Sequence, residues 1–404
     1  MKQFDAILDD FKQRNPDLYS VDVCFLISPP SCMYRVLGLL LFCGVEAWDL
    51  QGHQLIALLA GNLIKKETNE FLRKHLGPKH AHRSVARAMA HQSSWADFVT
   101  HDPADGYEWS KDLHFAYTEY PDCSPFEVNA GCRDGRCIVT AIANYTMRAG
   151  DRKLSSDERM EAVNFLIHFM GDVHQPLHIG FLRDQGGTTL HLLDPPTSLH
   201  NVWDATLLGW YLQKKSNGQL NYYDLARELY EKEGEKLKKS DSKIKFTREQ
   251  VSNPDSILKQ IILIASETVS TVTCPLAYKH VSGKWIGPND KLTDKYMQSR
   301  SEAMIRQYLL AGIRLASLLD AIVERFNAVD KPIVVPKSSN AFSLLNNSDC
   351  SSDEEEEAPC VQSTTTTTVK PQEKKKKDDF DLIIDEFKAS KPKIGNTKKL
   401  SVSV

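Results

Sequence analysis

Apolar and polar positions recur with the period of an α-helix over most of residues 48–326. The stretch "SEAMIRQYLLAGIRLASLLDAIVERF", which ends at Phe326, is amphipathic over its whole length and is the predicted last helix of the domain. The sequence shows no run of alternating strands joined by hairpin turns. The pattern therefore predicts an all-α fold with a single, mostly helical domain.

Another helix is predicted in the stretch "LSSDERMEAVNFLIHFMGDVHQP". Ser155 and Glu158 have the spacing of a capping box at its start, and Pro176 ends it. Within this helix His168 and Asp172 stand four residues apart, so both side chains project from one face. Their neighbours are apolar on nearly every side, and an unpaired imidazole and carboxylate are costly to bury in such surroundings.

The same spacing occurs a second time in "LHNVWDA", where His200 and Asp204 are four residues apart, and His178 lies between the two units. A lone histidine on an apolar helix is more often a satisfied core residue than a ligand, but two such units and a third histidine favour a bound cation. Imidazole and carboxylate together suit zinc, which takes four ligands. More than four candidates predict more than one ion. Neighbouring ions about 3.5 to 4 Å apart can stabilise both oxygens of a phosphoryl displacement, which predicts metal-assisted hydrolysis.

Residues 33–47, "MYRVLGLLLFCGVEA", contain the parts of a secretory signal peptide. Arg35 supplies a positive flank, an apolar run follows it, and Val45-Glu46-Ala47 is a small-x-small cleavage site. The alternative is the start of a buried helix. Residues 1–32 would precede the signal as an N-terminal extension, which is an unusual position for a signal peptide unless Met33 is the working start or the extension is processed.

The composition changes after Phe326. Residues 327–404 include "SSDEEEEAPC", "STTTTTVK" and "EKKKKDD", which are charged or low in complexity and predict a disordered tail. Within the tail, residues 380–388, "FDLIIDEFK", nearly repeat residues 4–12, "FDAILDDFK", as a short acidic amphipathic segment. A segment that docks into the groove of an unknown partner and a segment without function both remain open.

Net charge and hydropathy weigh against two further classes of protein. The formal charge of −3 at pH 7 gives no basic footprint for tight binding to duplex nucleic acid. No stretch reaches the roughly 18 to 20 apolar residues that a bilayer crossing requires, so no stable membrane span is predicted.

The cysteines favour an oxidising compartment once residues 1–47 are set apart. Cys132 and Cys137 bracket "RDGR", a turn-forming spacer that could close a small disulfide loop. Cys123 and Cys274 would then form the remaining pair of the folded part. Asn144 begins a glycosylation sequon, Asn-Tyr-Thr, and these features together agree with a secreted or endomembrane-lumenal protein.

The order of these motifs resembles that of a known family. "W-x4-H", "WAD", "LHF", "HFMGDVHQPLH", "GG" and "LHNVWD" are similar, in that order and over residues 48–326, to the zinc-dependent single-strand nucleases of the S1/P1 type and their plant relatives. The resemblance implies the mostly helical fold also found in bacterial zinc phospholipase C. It implies hydrolysis of single-stranded DNA and RNA to 5′-nucleotides, with 3′-nucleotides as further substrates.

The resemblance also implies three zinc ions per chain and the residues that hold them. The mature chain would begin at Trp48, whose free α-amine, with an ordinary pKa of about 7.7 to 8.0, can lose its proton to a metal. The implied disulfides are the two pairs named above. The implied ligand sets are Asp97, His114, His168 and Asp172 for one ion; His178, His200 and Asp204 for its neighbour; and Trp48, His53 and the shared Asp172 for the third.

The chain departs from the family pattern where substrate is expected. Thr100 and Tyr117 stand where the family has a basic residue and an aspartate, and Thr188, after Gly187, stands where it has an asparagine. Phe115 keeps the expected stacking position, so the candidate substrate-binding residues are Phe115, Tyr117, Gly187 and Thr188. Two alternatives therefore stay open. One is a phosphoesterase on the same scaffold with a shifted substrate, such as a 3′-nucleotidase or a phospholipase C-like hydrolase. The other is an inactive, metal-stabilised, secreted binding protein.

Overall fold

A computed structural model describes residues 48–76, 82–101, 105–119, 123–193, 196–239 and 245–328. The predicted N-terminal extension, the signal peptide, the amphipathic segment 380–388 and all but the first two residues of the tail lie outside the described residues.

The described part of the chain is mostly helical, which confirms the predicted all-α class. It includes a 3₁₀-helix, Glu108–His114, and two π-helical segments, Val202–Thr206 and Val269–Ala277. The longer helices are α1 (Leu50–Leu63), α2 (Lys66–His75), α3 (Val85–Gln92), α4 (Trp95–His101), α5 (Ile138–Ala149), α6 (Ser156–Asp172), α7 (Leu207–Ser216), α8 (Tyr222–Lys239), α9 (Pro254–Thr268) and α10 (Asp294–Asn327).

One short antiparallel ribbon interrupts the helices. Strand β1 (His191–Leu193) pairs with β2 (Pro196–Ser198), with His191 opposite Ser198. The sequence did not reveal it because three residues are too few to show an alternating pattern. The ribbon leads directly into the unit that carries His200.

Helix α1 lies at the centre of the core. Its residues from Leu55 to Gly61 are all buried, because α3, α8 and α10 pack against it. A helix that is apolar on every side is typical of a core position. Gly61 permits the closest of these contacts, since a Cβ atom there would lie 2.4 Å from the Ala86 Cα of α3.

Helix α6 begins where the sequence predicts. Ser155 Oγ accepts a hydrogen bond from the Glu158 N–H (3.2 Å), and the Glu158 carboxylate accepts one from the Ser155 N–H (2.8 Å). The helix ends at Asp172, before Pro176. Helix α10 begins earlier than predicted, at Asp294 rather than Ser301, because Thr293 caps it.

Among the described residues, one helical stretch, Pro254–Ala277, is long and apolar enough to cross a membrane by length and composition. Half of its most apolar window is buried inside the protein, and Cys274 near its end is bonded to Cys123. A buried core helix passes the same test, so the finding is weak evidence for a span.

Both disulfides expected from the sequence are present, Cys123–Cys274 and Cys132–Cys137. The predicted glycosylation of Asn144 stays a prediction. Asn144 lies in the middle of α5 with 5% of its surface exposed.

Candidate metal centre

The first pair of candidate ligands stands at the buried C-terminal end of α6. His168 Nε2 lies 3.1 Å from Asp172 Oδ2, and neither side chain has any exposed surface. The helical spacing of four residues therefore brings the imidazole and the carboxylate together, as the sequence predicts.

Two other elements bring Asp97 and His114 to this pair. Asp97 comes from α4, and its Oδ1 lies 3.3 Å from His168 Nε2. His114 is the last residue of the 3₁₀-helix, and its Nδ1 lies 3.1 Å from Asp172 Oδ2 and 3.5 Å from Asp97 Oδ1. Four polar side chains thus converge on one point in an otherwise apolar core.

His178, His200 and Asp204 form a second group beside the first. His200 Nε2 lies 3.2 Å from Asp204 Oδ2, and the His178 and His200 rings are 5.1 Å apart. Asp204 belongs to the π-helical segment Val202–Thr206, a wider helical turn that is frequent at functional sites. Asp172 Oδ1 lies 3.8 Å from His178 Nδ1, which joins the two groups.

The start of the described chain lies against the same helix. The Trp48 indole N–H donates to the Gly171 carbonyl oxygen (2.9 Å), and His53 Nε2 lies 3.2 Å from Asp172 Oδ1. A Cβ atom at Gly171 would lie 2.8 Å from the His53 ring, so this glycine allows the approach. The His53 ring stacks on the His168 ring at 3.9 Å. His53, His168 and Asp172 therefore offer a third group of ligand atoms, beside the indole of Trp48.

Backbone carbonyl groups orient three of the imidazoles through Nδ1. The acceptors are the carbonyl oxygens of Ser93 for His168 (2.7 Å), of His114 for His178 (2.8 Å) and of Gly186 for His200 (2.6 Å). Each Nδ1 then carries the proton and each Nε2 offers its lone pair. Such contacts fix the tautomer of metal-binding histidines.

The donor set fits a cluster of cations. Several buried nitrogen and oxygen atoms here have no hydrogen-bond partner: His53 Nδ1 and Nε2, His114 Nε2, Asp172 Oδ1, His178 Nε2 and His200 Nε2. Buried polar atoms are nearly always paired, because an unpaired one costs free energy. In each of the three groups, ligand atoms lie within 4.8 Å of one another, close enough to share an ion.

Electrostatics agree with this assignment. Burial lowers the pKa of His178 to about 3 and of His200 to about 4, so both imidazoles are neutral at pH 7 and can bind a metal. Burial also raises the pKa of the Asp204 carboxyl well above its usual range, and the nearby carboxylates of Asp49 and Asp172 act in the same direction. At Asp172 burial acts in the same direction, but His168 and His178 outweigh it and hold the pKa well below its usual range.

The family model for S1/P1 nucleases matches residues 48–324. The chain belongs to the S1/P1 nuclease family. Endonuclease 2 of Arabidopsis thaliana is 30% identical over 296 residues, which are 69% of this chain and 91% of that protein. Endonuclease 4 of the same plant is 31% identical over 303 residues, or 71% of this chain and 93% of that protein. Nuclease P1 of Penicillium citrinum is 36% identical over 163 residues, or 39% of this chain and 57% of that protein.

Family membership confirms the resemblance seen in the sequence and makes the chain a nuclease, a hydrolase that acts on phosphodiester bonds of nucleic acids. The structure brings the eight candidate His and Asp ligands of this S1/P1 nuclease into one buried cluster. Their individual roles as zinc ligands, and that of the Trp48 amine, stay predictions.

We call the candidate substrate residues Phe115, Tyr117, Gly187 and Thr188 the rim. Gly187 lies beside the metal centre, since a Cβ atom there would be 3.3 Å from the His200 backbone nitrogen. The half-buried Phe115 ring lies 4.5 Å from the His178 ring, so one side of it covers a candidate ligand. The N–H of Tyr117 donates to Gly131 (3.0 Å) and that of Thr188 to Gln185 (3.3 Å). Thr100, at the position of the missing basic residue, is buried, and its hydroxyl donates to the Asp97 carbonyl oxygen (2.7 Å).

The double-glycine turn serves the metal centre as well as the rim. The Gly187 N–H donates to Asp184 Oδ1 (2.7 Å), which also accepts from the Tyr278 hydroxyl (2.7 Å), while the neighbouring Gly186 carbonyl holds His200. Both glycines have positive φ, 65° and 79°, a conformation that favours glycine. The sequence prediction missed Asp184 and Tyr278, although an aspartate just before two glycines suggests a turn.

Gln175 is another residue that the sequence prediction missed. Its side-chain amide donates to Asp204 Oδ1 (2.5 Å) and so orients a candidate ligand that is distant in the sequence. The sequence did offer one signal for a role of Gln175, its position inside the motif "HFMGDVHQPLH". His174 of the same motif is structural, since it bonds to the Met170 carbonyl (2.7 Å) and to Arg314 (2.8 Å).

Proposed function

We propose that this chain is a secreted endonuclease that uses three zinc ions to cleave single-stranded DNA and RNA to 5′-nucleotides, with 3′-nucleotides as further substrates. The observation that supports this most strongly is the buried cluster around Asp172, because its five histidines and three aspartates leave ligand atoms without partners. In a purely structural core, buried polar atoms are nearly always paired, so a concentration of unpaired ones at a single point indicates a missing partner.

Three ligand sets would divide the cluster, and Asp172 would be shared. When bound, zinc supplies a water-derived nucleophile near neutral pH and compensates the charge of the phosphate. The protein keeps the donor atoms fixed: the carbonyls of Ser93, His114 and Gly186 set three imidazole tautomers, and Gln175 orients Asp204. Because the ligand atoms are preorganised, substrate binding need not rearrange them.

Trp48 would complete the third set through its own amine and carbonyl. This requires cleavage after Ala47, because a nitrogen inside a peptide bond cannot be deprotonated and bound in this way. The position of Trp48 supports the proposal. Its indole N–H donates to the Gly171 carbonyl oxygen, and the Asp49 N–H donates to the Asp204 carbonyl oxygen (3.1 Å). These two hydrogen bonds hold the beginning of the proposed mature chain beside the candidate ligands Asp172 and Asp204.

Secretion is supported by the two disulfides, since such bonds persist in oxidising compartments. The S1/P1 relatives and the motif order support polynucleotide substrates. A shifted substrate, a 3′-nucleotide alone or a phospholipid, is the second candidate. It is favoured by Thr100, whose buried hydroxyl cannot replace the charge of the basic residue expected there.

The proposal can be tested on exported protein by determining its N-terminal sequence, its zinc content and the substrates that it hydrolyses. We expect the chain to start at Trp48 with about three ions, and to hydrolyse single-stranded DNA. A matched protein that retains one residue before Trp48 should lose one ion. Fewer than two ions per chain would contradict the metal assignment. Turnover of 3′-AMP or a choline phospholipid without turnover of DNA would favour the second candidate.

A further inference from the structure

Tyr308, in the middle of α10, has a buried hydroxyl that forms no internal hydrogen bond. The side chain has no exposed surface, and its oxygen has no partner among the residues that the structure describes. Tyr278 and Tyr296 are also buried, but their hydroxyls donate to Asp184 and to the Ala277 carbonyl oxygen. A buried tyrosine hydroxyl usually has such a partner. The Tyr308 oxygen is therefore able to accept a hydrogen bond from a further donor.

The Tyr308 hydroxyl faces the start of the described chain. The ring of Tyr308 packs against the indole of Trp48, with 4.6 Å between the ring centres. A Cβ atom at Gly52 would lie 3.1 Å from the Tyr308 hydroxyl oxygen and 3.0 Å from the Trp48 Cβ, so these two atoms face each other across the glycine. The Trp48 backbone nitrogen is two covalent bonds from this Cβ, or about 2.5 Å. The hydroxyl thus lies in the neighbourhood of that nitrogen.

Other contacts fix the rest of Trp48 but not its nitrogen. The indole donates to the Gly171 carbonyl oxygen (2.9 Å). The peptide that follows Trp48 is held because the Asp49 N–H donates to the Asp204 carbonyl oxygen (3.1 Å), and Asp49 Oδ1 accepts from the Gly52 N–H (3.0 Å). These bonds leave open how the nitrogen of a chain that begins at Trp48 is oriented.

A free amine has a hydrogen-bonding need that a peptide nitrogen does not have. An amine that binds a metal still carries two N–H groups, and buried N–H groups are nearly always paired. A tyrosine hydroxyl can accept one of them. Burial raises the pKa of Tyr308 well above its usual range, and the carboxylates of Asp49 and Asp204 act in the same direction, so the hydroxyl is neutral.

We propose that Tyr308 is a positioning residue for the mature N-terminus: its hydroxyl oxygen accepts a hydrogen bond from the free α-amine of Trp48 and orients this amine as a metal ligand. The inference rests on the proposed function, which supplies the cleavage after Ala47 and the third ion. The hydrogen bond limits rotation about the N–Cα bond, so that the nitrogen lone pair keeps one direction. Hydrogen-bond partners of this kind hold metal ligands in place.

Tyr308→Phe in protein that begins at Trp48 tests the proposal, because phenylalanine keeps the ring against the indole and removes only the hydroxyl. Titration with Zn²⁺ in competition with a chelator measures each ion separately. We expect the affinity for the third ion to fall about 10- to 100-fold, as is typical when the partner of a metal ligand is lost. The first two ions should bind as in the wild type. The melting temperature of the metal-free variant should also be lower, because the bond to the amine is lost.

Protein that retains one residue before Trp48 is the decisive background. Its Trp48 nitrogen lies inside a peptide bond and is not an amine. In this background Tyr308→Phe should change neither the binding of the remaining ions nor the melting temperature of the metal-free protein. Equal effects in both backgrounds would overturn the inference, because they would mean that the hydroxyl has another partner, such as a buried water.

Tyr296→Phe is the matched control, since Tyr296 is a buried tyrosine of the same helix. Its hydroxyl accepts from the Trp203 indole N–H (3.1 Å) and donates to the Ala277 carbonyl oxygen (2.8 Å). The substitution should lower the melting temperature of the metal-free protein by the same amount in both backgrounds. It should not weaken the third ion selectively.

The inference and the proposed function fail by different results. Unchanged affinity for the third ion in Tyr308→Phe would overturn the inference and leave the proposed function intact. If wild-type protein that begins at Trp48 binds fewer than two ions, the metal assignment fails. The melting temperatures of the metal-free proteins in the two backgrounds then still decide whether Tyr308 contacts the amine.

Discussion

The metal centre and its rim lie side by side in this nuclease, but they are built differently. In the centre, ligands such as His168 and Asp172 have no exposed surface, and neighbouring backbone groups hold them. At the rim, Phe115, Tyr117 and Thr188 are half-buried, and their side chains are not part of the ligand cluster. The family resemblance implies that the centre keeps its ligand motifs, whereas Tyr117 and Thr188 of the rim depart from the expected residues.

The difference has a physical reason. A metal accepts donors only within a few tenths of an ångström, so a single change among its ligands removes the ion. A base that stacks on an aromatic ring is tolerant of its exact surroundings, and hydrogen bonds at a wet rim can be exchanged for water. We therefore expect substitutions in the centre to act on metal content and kcat, and substitutions at the rim to act on KM and base preference.

Asp172→Asn should give the largest effect. Asp172 contacts His53, His114 and His168 at 3.1 to 3.2 Å, and asparagine keeps its size but removes its charge. Loss of several kcal/mol of metal-dependent stabilisation of the transition state corresponds to about a 10³-fold lower kcat. Steady-state kinetics with a single-stranded substrate and elemental analysis of the same sample would measure both losses.

Asp157→Asn is the control for this substitution, since it removes an exposed carboxylate from the first turn of the same helix. It should change neither zinc content nor kcat. If Asp172→Asn retained its full zinc content and activity, the assignment of Asp172 as the shared ligand would be wrong, and the centre would be no more sensitive than the rim.

Asp184→Ala should have an intermediate effect, because Asp184 lies between the two regions. Its carboxylate holds the Gly187 N–H and the Tyr278 hydroxyl, and the turn that it stabilises positions the Gly186 carbonyl against His200. Partners that orient a metal ligand typically contribute about 10- to 100-fold to metal affinity or activity. Zinc titration and kcat/KM of the variant would show this loss.

Tyr278→Phe should cost less than Asp184→Ala, because Asp184 would still accept the Gly187 N–H. Asp255→Ala, which removes an exposed carboxylate at the start of α9, is the matched control for Asp184→Ala. A variant of Asp184 with normal zinc affinity and altered base preference would show that the turn belongs functionally to the rim.

The comparison also explains what the sequence could reveal. His168 and Asp172, and likewise His200 and Asp204, are linked by helical spacing, so their contact was predictable from local structure alone. The hydrogen-bond partners of the imidazoles were not predictable. They are the backbone carbonyl groups of Ser93 and Gly186, and every residue type has such a group, so the sequence does not mark them. They depend on how distant segments pack.

Local patterns in the sequence do not show how the elements pack. The sequon at Asn144 gives no sign that α5 packs this side chain into the core. The start of α10 was predicted too late because the polar stretch around Asp294 lacks an apolar stripe, although Thr293 is a good cap. Element existence was therefore easier to predict than surface exposure.

Thr188→Asn should give the smallest effect and tests the rim most directly. The backbone N–H of Thr188 is bonded to Gln185, so the substitution leaves the turn intact and changes only the side chain presented beside Gly187. One regained hydrogen bond to a base is worth about 0.5 to 1.5 kcal/mol, or about a twofold to tenfold lower KM. We expect this gain for some bases and not others, with kcat unchanged, when dinucleotides of each base are compared. A uniform change in kcat would instead mean that the side chain at position 188 acts on His200 through the turn, and the separation between centre and rim would fail at this point.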